Sequence, residues 1–213
     1  DTLYSHVELL PESVYPLAVL DASGRFRHIY PTQAAYRGNV CMKVVKQYEP
    51  KRYDGLTIRL ARRSGAKSAW GKAEEADFLA KECAKAIADA PERTWLVIHH
   101  KNIDLEERLL EADPKLCFVA IKYLTFGQHT ATNEFSDCNG VLIAGTLHYP
   151  APAYHALDSA ARDLQADDAK PDGGELKVLR QSEVRHHLFQ ALCRGTVRRT
   201  RSGRCGNMLA HVI

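Results

Sequence analysis

The chain has 213 residues, of which 45% are hydrophobic and 26% charged, enough for one sizeable core or one domain with an appendage. A formal net charge of +3 is too mild to mark a nucleic-acid binder by itself. No signal peptide and no apolar span of membrane length stands in the sequence, so the expectation is a soluble, cytoplasmic protein without a membrane partner.

In chain order, Pro16 to Ala22 reads as a short apolar strand, and Asn39 to Lys46 and Gly55 to Ala61 as strands with partial alternation. Ala73 to Ala90 is predicted helical, with Phe78, Leu79, Cys83 and Ile87 at helical spacing and Pro91 closing it. Trp95 to His99 is a buried strand, Leu105 to Ala112 a helix ended before Pro114, and Leu116 to Tyr123 the next strand. Val141 to Gly145 follows as a strand, Ala153 to Gln165 and Ser182 to Cys193 as helices, and Met208 to Ile213 as the closing strand. Asp167 to Gly174, rich in acids with two glycines and a proline, reads as an exposed loop. Alternating strands and helices imply an α/β fold, a parallel sheet joined by right-handed crossovers with helices on both faces.

The six cysteines, at 41, 83, 117, 138, 193 and 205, form no Cys-x-x-Cys pair, which argues against disulfides and structural zinc. Adjacent histidines at 99–100 and 186–187 point in different directions on a strand or helix, so neither pair chelates alone, and no metal site is expected. Arg180, Arg185, Arg194, Arg198, Arg199, Arg201 and Arg204 crowd the C-terminal part, just after the acids Asp163, Asp167, Asp168, Asp172 and Glu175.

Two stretches carry chemistry. Gln190-Ala191-Leu192-Cys193-Arg194-Gly195-Thr196-Val197-Arg198 sets a glutamine and two spaced arginines at the end of a helix. A guanidinium keeps its charge at any working pH and offers a planar fork to phosphate oxygens. Upstream, the strand ending at Thr125 runs into a polar loop, Phe126-Gly127-Gln128-His129-Thr130-Ala131-Thr132-Asn133-Glu134-Phe135, before the apolar run Val141 to Gly145. Such loops at strand carboxyl ends are where α/β sheets present ligand groups.

In this order the segments resemble motifs IV, V and VI of the second RecA-like domain of superfamily-two helicases of the DEAD/DEAH-like, phage or mobile-element type. Motif IV is matched by Trp95 to Lys101, motif V by Thr125 to Phe135 and motif VI by the segment from Gln190. Leu17 to Gly24 resembles motif III, and Gly145 to Pro150 resembles a strand-then-proline pattern of iron–sulfur repair helicases. The chain departs from the family in two places within motif VI: Cys193 stands where a glycine is usual, and Arg198 falls one residue later than the commonest spacing.

The resemblance implies a RecA-like three-layer sandwich with a mainly parallel sheet, over residues 64–213. Residues 1–63 would be a strand extension of that sheet or a link from a P-loop domain. It implies that Arg194 and Arg198 act as arginine fingers and that Gln190 orients them or the attacking water. Asn133 and Glu134 would respond to the nucleotide, and His100, Lys101, Thr125 and Gly127 would hold the backbone of a single strand, DNA ahead of RNA. No Gly-x-x-x-x-Gly-Lys-[Ser/Thr] run occurs in the sequence, so ATP and Mg²⁺ would be bound mainly by a missing N-terminal P-loop domain, with no cofactor held by this chain alone. The start at Asp1 rather than Met fits that expectation. Two alternatives stand beside it: a non-catalytic RecA-like module binding nucleic acid or protein, and a Rossmann-type enzyme, disfavoured because no Gly-x-Gly-x-x-Gly follows a strand.

Overall fold

Five short apolar runs assemble into one sheet. The computed structural model describes residues 26–37, 51–130, 132–164 and 172–213. The expected strands over 16–22 and 39–46, and the motif III segment Leu17 to Gly24, lie outside them.

Strands β1 (Leu56–Leu60), β2 (Trp95–His99), β3 (Ile121–Thr125), β4 (Gly140–Ala144) and β7 (Met208–Val212) pair in the order β1-β7-β4-β2-β3, every pair parallel. The central strands β2 and β4 are apolar almost without interruption because both of their faces are covered. One face of the sheet, with Trp95, Val97, Leu142, Ala144 and Leu209, packs against α3 (Ala73–Ala88) and α4 (Leu105–Ala112). The other, with Leu96, Ile98, Val141, Ile143 and Ala210, meets Leu188, Ala191 and Leu192 from the end of α6 (Gly173–Leu192), together with Phe135 and Val197. The result is a three-layer α/β sandwich around an all-parallel sheet, as the RecA-like expectation requires. β1, assigned from sequence to the N-terminal extension, is an edge strand of this sheet.

Local chemistry explains the helices. In α3 the buried Ala76, Leu79, Ala80, Cys83, Ala84 and Ile87 recur three and four residues apart, with Glu74 and Glu75 in the first turn and Lys85 in the last to complement the helix dipole. Leu105 and Leu109 anchor α4 in the same way.

The chain divides into two compact units, one of residues 1–46 and 148–186, the other of 47–147 and 187–213. The second holds the sheet. In the first, α1 (Ile29–Tyr36) packs on α5 (Ala151–Arg162). Ion pairs bind this unit: Arg27 forks onto the buried Glu183 through two bonds of 2.9 Å, and Arg162 bridges Asp158 at 2.8 Å and Glu175 at 2.9 Å.

Several elements differ from the sequence expectation, among them the short α2 (Lys67–Trp70), which the sequence reading did not place. The strand placed from Leu116 begins at Ile121, because the Asp113 carboxylate accepts the Lys115 N–H at 3.0 Å and starts a 3₁₀ turn, Pro114–Phe118. The helix placed from Ser182 begins at Gly173, inside the expected loop, because Asp172 and Glu175 form a reciprocal capping box at 2.8 and 3.3 Å. α1 stands in a region read as strands; its apolar residues mark no single helical face. A hairpin of β5 (Thr200–Arg201) and β6 (Arg204–Cys205) precedes β7, turned by Ser202 and Gly203 with φ of 50° and 73°.

Candidate functional site

Two clusters form at opposite edges of the sheet, both within the larger unit. At the carboxyl edge, β2 ends on His99 and the chain turns through His100, Lys101 and Asn102. His100 is buried, its ring 5.0 Å from Phe126 and close against Gly145. Gly145 has φ 116°, and a Cβ there would lie 2.4 Å from the Gly65 carbonyl and 2.8 Å from the His100 ring, so only glycine fits. Lys101 is exposed. Where β3 ends, the Thr125 hydroxyl donates to Gln128 Oε1 at 2.8 Å, and the Gly127 N–H donates to His129 Nδ1 at 3.0 Å. Gly127 is exposed, with φ 99°.

The structure thus brings His100, Thr125 and Gly127 to one edge with Lys101 on the adjoining turn. It adds a stack that sequence reasoning missed: His129 is fully buried, edge-on to Phe126 at 5.6 Å and to His187 at 5.7 Å. Histidines far apart in sequence gave no spacing signal for it. Burial lowers the pKa of His99, whose Nδ1–H donates to the His100 carbonyl at 3.0 Å. Among the described residues no group of three His, Cys, Asp or Glu side chains could hold a metal ion.

The second cluster lies toward the amino edge, where α6 gives way to the turn before the hairpin. Arg194 is 5% exposed. Its guanidinium donates from Nε to the Gln190 carbonyl at 3.2 Å, from Nη2 to Gln190 Oε1 at 3.0 Å, and from Nη1 to the carbonyl of Thr132. Residues of the two chemistry-bearing stretches, 62 apart in sequence, therefore meet. Burial, and then the neighbouring Arg198, lower the Arg194 pKa. Asn133 and Glu134 follow Thr132 directly and are exposed; the Glu134 N–H is held by Thr132 Oγ1 at 3.2 Å. Arg198 ends the 3₁₀ turn Thr196–Arg198 with an exposed side chain, while its carbonyl accepts from Lys51 Nζ at 3.0 Å.

Further bonds tie the same loop to the arginine-bearing turn. The Thr196 N–H donates to the Cys138 carbonyl at 2.8 Å, and Arg199 Nη2 to Ser136 Oγ at 3.4 Å. The backbone N–H of Asp137 itself, and then Lys122 at 3.3 Å, hold the exposed Asp137 carboxylate below the usual range. Burial pushes the Cys138 thiol up to about 11 and raises Cys193 as well, so both are inert packing residues at neutral pH.

Comparison with models of protein families, with curated proteins and with solved structures finds no match to this chain.

Proposed function

We infer that this chain is the second motor domain of an ATP-dependent nucleic-acid helicase or translocase. The observation that carries the reading is the junction of Gln190 and Arg194 with Thr132, the residue before Asn133 and Glu134. A loop that starts at a candidate strand-binding edge and ends beside two arginines is what a domain needs to couple a nucleic-acid grip to a nucleotide.

In this reading a separate P-loop domain binds ATP and Mg²⁺, whose hydrolysis supplies the energy. The helix end bearing Gln190, Arg194 and Arg198 closes on the phosphates from the other side, so that positive charge meets the charge spreading over the transferring phosphoryl group. Lys101 contributes a cation to a single strand's phosphates, the Thr125 hydroxyl and the Gly127 N–H join it by exchanging Gln128 and His129 for phosphate oxygens, and the buried His100 braces the turn that carries Lys101, holding without reading sequence. A cytoplasmic setting belongs to the proposal; among the described residues no helix is long and apolar enough to cross a membrane.

Titrating a fluorescent single-stranded oligonucleotide at several salt concentrations tests the grip. Each neutralised phosphate on a single strand contributes about −0.7 to the slope of log affinity against log salt, so three or four contacts give a slope of roughly −2 to −3. Lys101→Ala should weaken binding uniformly across sequences and flatten that slope by less than about one unit. The isolated chain should show no nucleotide turnover. A salt-independent affinity, or turnover by the chain alone that disappears in Arg198→Ala, contradicts the reading.

A further inference from the structure

β3 stands at the edge of the sheet and pairs only with β2. The Trp95 N–H donates to the Ala120 carbonyl and the Phe126 N–H to the His99 carbonyl, both at 2.8 Å. Backbone groups along a strand alternate sides, so Lys122 and Leu124 also face β2, while the N–H and C=O of Ile121 and Tyr123 point away from it. Among the described residues nothing hydrogen-bonds to those four outward groups. Beside this edge, between Tyr123 and α4, lies an open groove of about 740 Å³. Asp104, Glu106, Glu107 and Glu111 line it, and among the described residues none of the four has an ion-pair partner. Arg108, in their midst, is turned to Asp77 at 2.6 Å. Leu110 and the rings of His99 and Tyr123, edge-on at 6.2 Å, add apolar surface. Burial, and then the Glu106 charge, push the Tyr123 hydroxyl up to about 12, so it stays a neutral donor there.

We propose that the β3 edge and the groove beside it form a docking surface for an extended basic peptide segment of a partner protein, which joins the sheet as a further strand next to β3. Its backbone gives the outward groups of Ile121 and Tyr123 their missing ladder bonds. Every second side chain of such a strand lies on the α4 side, over the groove. A lysine or arginine there rests its methylene stem on Leu110 and the two rings and sets its charge among the carboxylates. Charge complementarity decides the occupant. The chain as a whole carries +3, yet residues 104–111 present four carboxylates to one arginine that is already engaged. A nucleic-acid strand is repelled by that wall. A second copy paired antiparallel through β3 would set two acidic grooves side by side on one face, which like charges oppose. The surface is therefore separate from the phosphate contacts proposed above, and it stands whether or not the motor-domain reading does.

The experiment uses the whole chain and a short fluorescein-labelled peptide of alternating lysine and valine. Residue-resolved amide exchange reports the edge, and fluorescence anisotropy reports affinity. In the free chain the Ile121 and Tyr123 amides should exchange at least about tenfold faster than those of Lys122 and Leu124, and saturating peptide should slow the first pair about tenfold. The triple variant Glu106→Gln, Glu107→Gln, Glu111→Gln keeps good helix formers and should weaken the peptide about tenfold, three surface pairs being lost together. A peptide with proline in place of each valine keeps its charge but cannot complete a ladder, and it should bind at least about tenfold more weakly. Ile121 and Tyr123 amides that are already protected in the free chain mean the edge is occupied and overturn the proposal. A proline peptide that binds as tightly as the valine peptide reduces the contact to charge attraction and overturns the added strand. Affinity unmoved in the triple variant, or binding that leaves both amides exchanging as before, puts the peptide elsewhere and overturns the groove as its seat.

Discussion

Gly195 separates the two arginines, and replacing it with alanine tests whether the turn is seated as described. Its backbone, φ −81° and ψ −165°, is open to any residue, so strain is not the issue. Space is. A Cβ there would lie 2.6 Å from Met208 Sδ, 2.8 Å from the Cys138 carbonyl and 2.8 Å from Val141 Cγ2. The methionine end can swing away, but the carbonyl belongs to the backbone and accepts the Thr196 N–H at 2.8 Å. Overpacking of this kind costs about 1–3 kcal/mol, and stretching that hydrogen bond about 0.5–1.5 kcal/mol more. Against this stands a gain of about 0.4–1 kcal/mol from the stiffer unfolded chain. The clash wins, and Gly195→Ala should lose about 0.5–4 kcal/mol net. Urea denaturation at unchanged m-value measures it. Gly71→Ala is the control: its Cβ meets nothing closer than 3.6 Å, so only the entropic gain remains and stability should hold or rise. A Gly195→Ala protein as stable as the parent would refute the seating of the turn against β4 and β7, and with it the placement of Arg198.

Burial lowers the pKa of His99 and His211 from 6.5, so each unfolded imidazole takes up its proton at a higher pH than the folded one; their contribution is intact above about 6.5 and is lost as pH falls through the folded values. The urea midpoint should therefore drop between pH 7.5 and 5, and His211→Phe should flatten that drop; an unaltered pH slope in the variant speaks against His211 as a source. In the smaller unit, Glu183→Ala strands Arg27 without its forked partner and should cost about 3 kcal/mol, the low end for a buried pair because Arg27 keeps 22% exposure; a loss under about 1 kcal/mol means the pair is solvated.

How much was legible depended on what each residue needed from its surroundings. β2 and α4 stand where the sequence placed them, because a run such as Trp95-Leu96-Val97-Ile98 has no solution but burial on both faces, and Pro114 cannot continue a helix. The start of α6 was hidden because Asp172 and Glu175 read as loop acids until their reciprocal bonds make them a cap. At the candidate site the residue types, their order and the helix that carries Gln190 were readable in the sequence. The burial of Arg194 was not: its partner at Thr132 is a backbone carbonyl, and every residue has one.

That same bond says why the two clusters belong in one account. A five-residue strand rises about 16 Å, so the carboxyl edge that holds Thr125 and the amino edge near Gly195 are separated by roughly that length of sheet. The parallel pairing of β2 with β3 and with β4 obliges the chain to travel back over that distance between Thr125 and Gly140 before it can enter β4. A connection that long need not be ordered, and loops of this kind are the first to open. Here it is tied at both ends and near the middle: by the Phe126 N–H on the His99 carbonyl at 2.8 Å, by Arg194 on the Thr132 carbonyl, and by the Thr196 N–H on the Cys138 carbonyl at the amino edge. The parallel topology creates the return path, and Arg194 pins it at Thr132 to the end of α6.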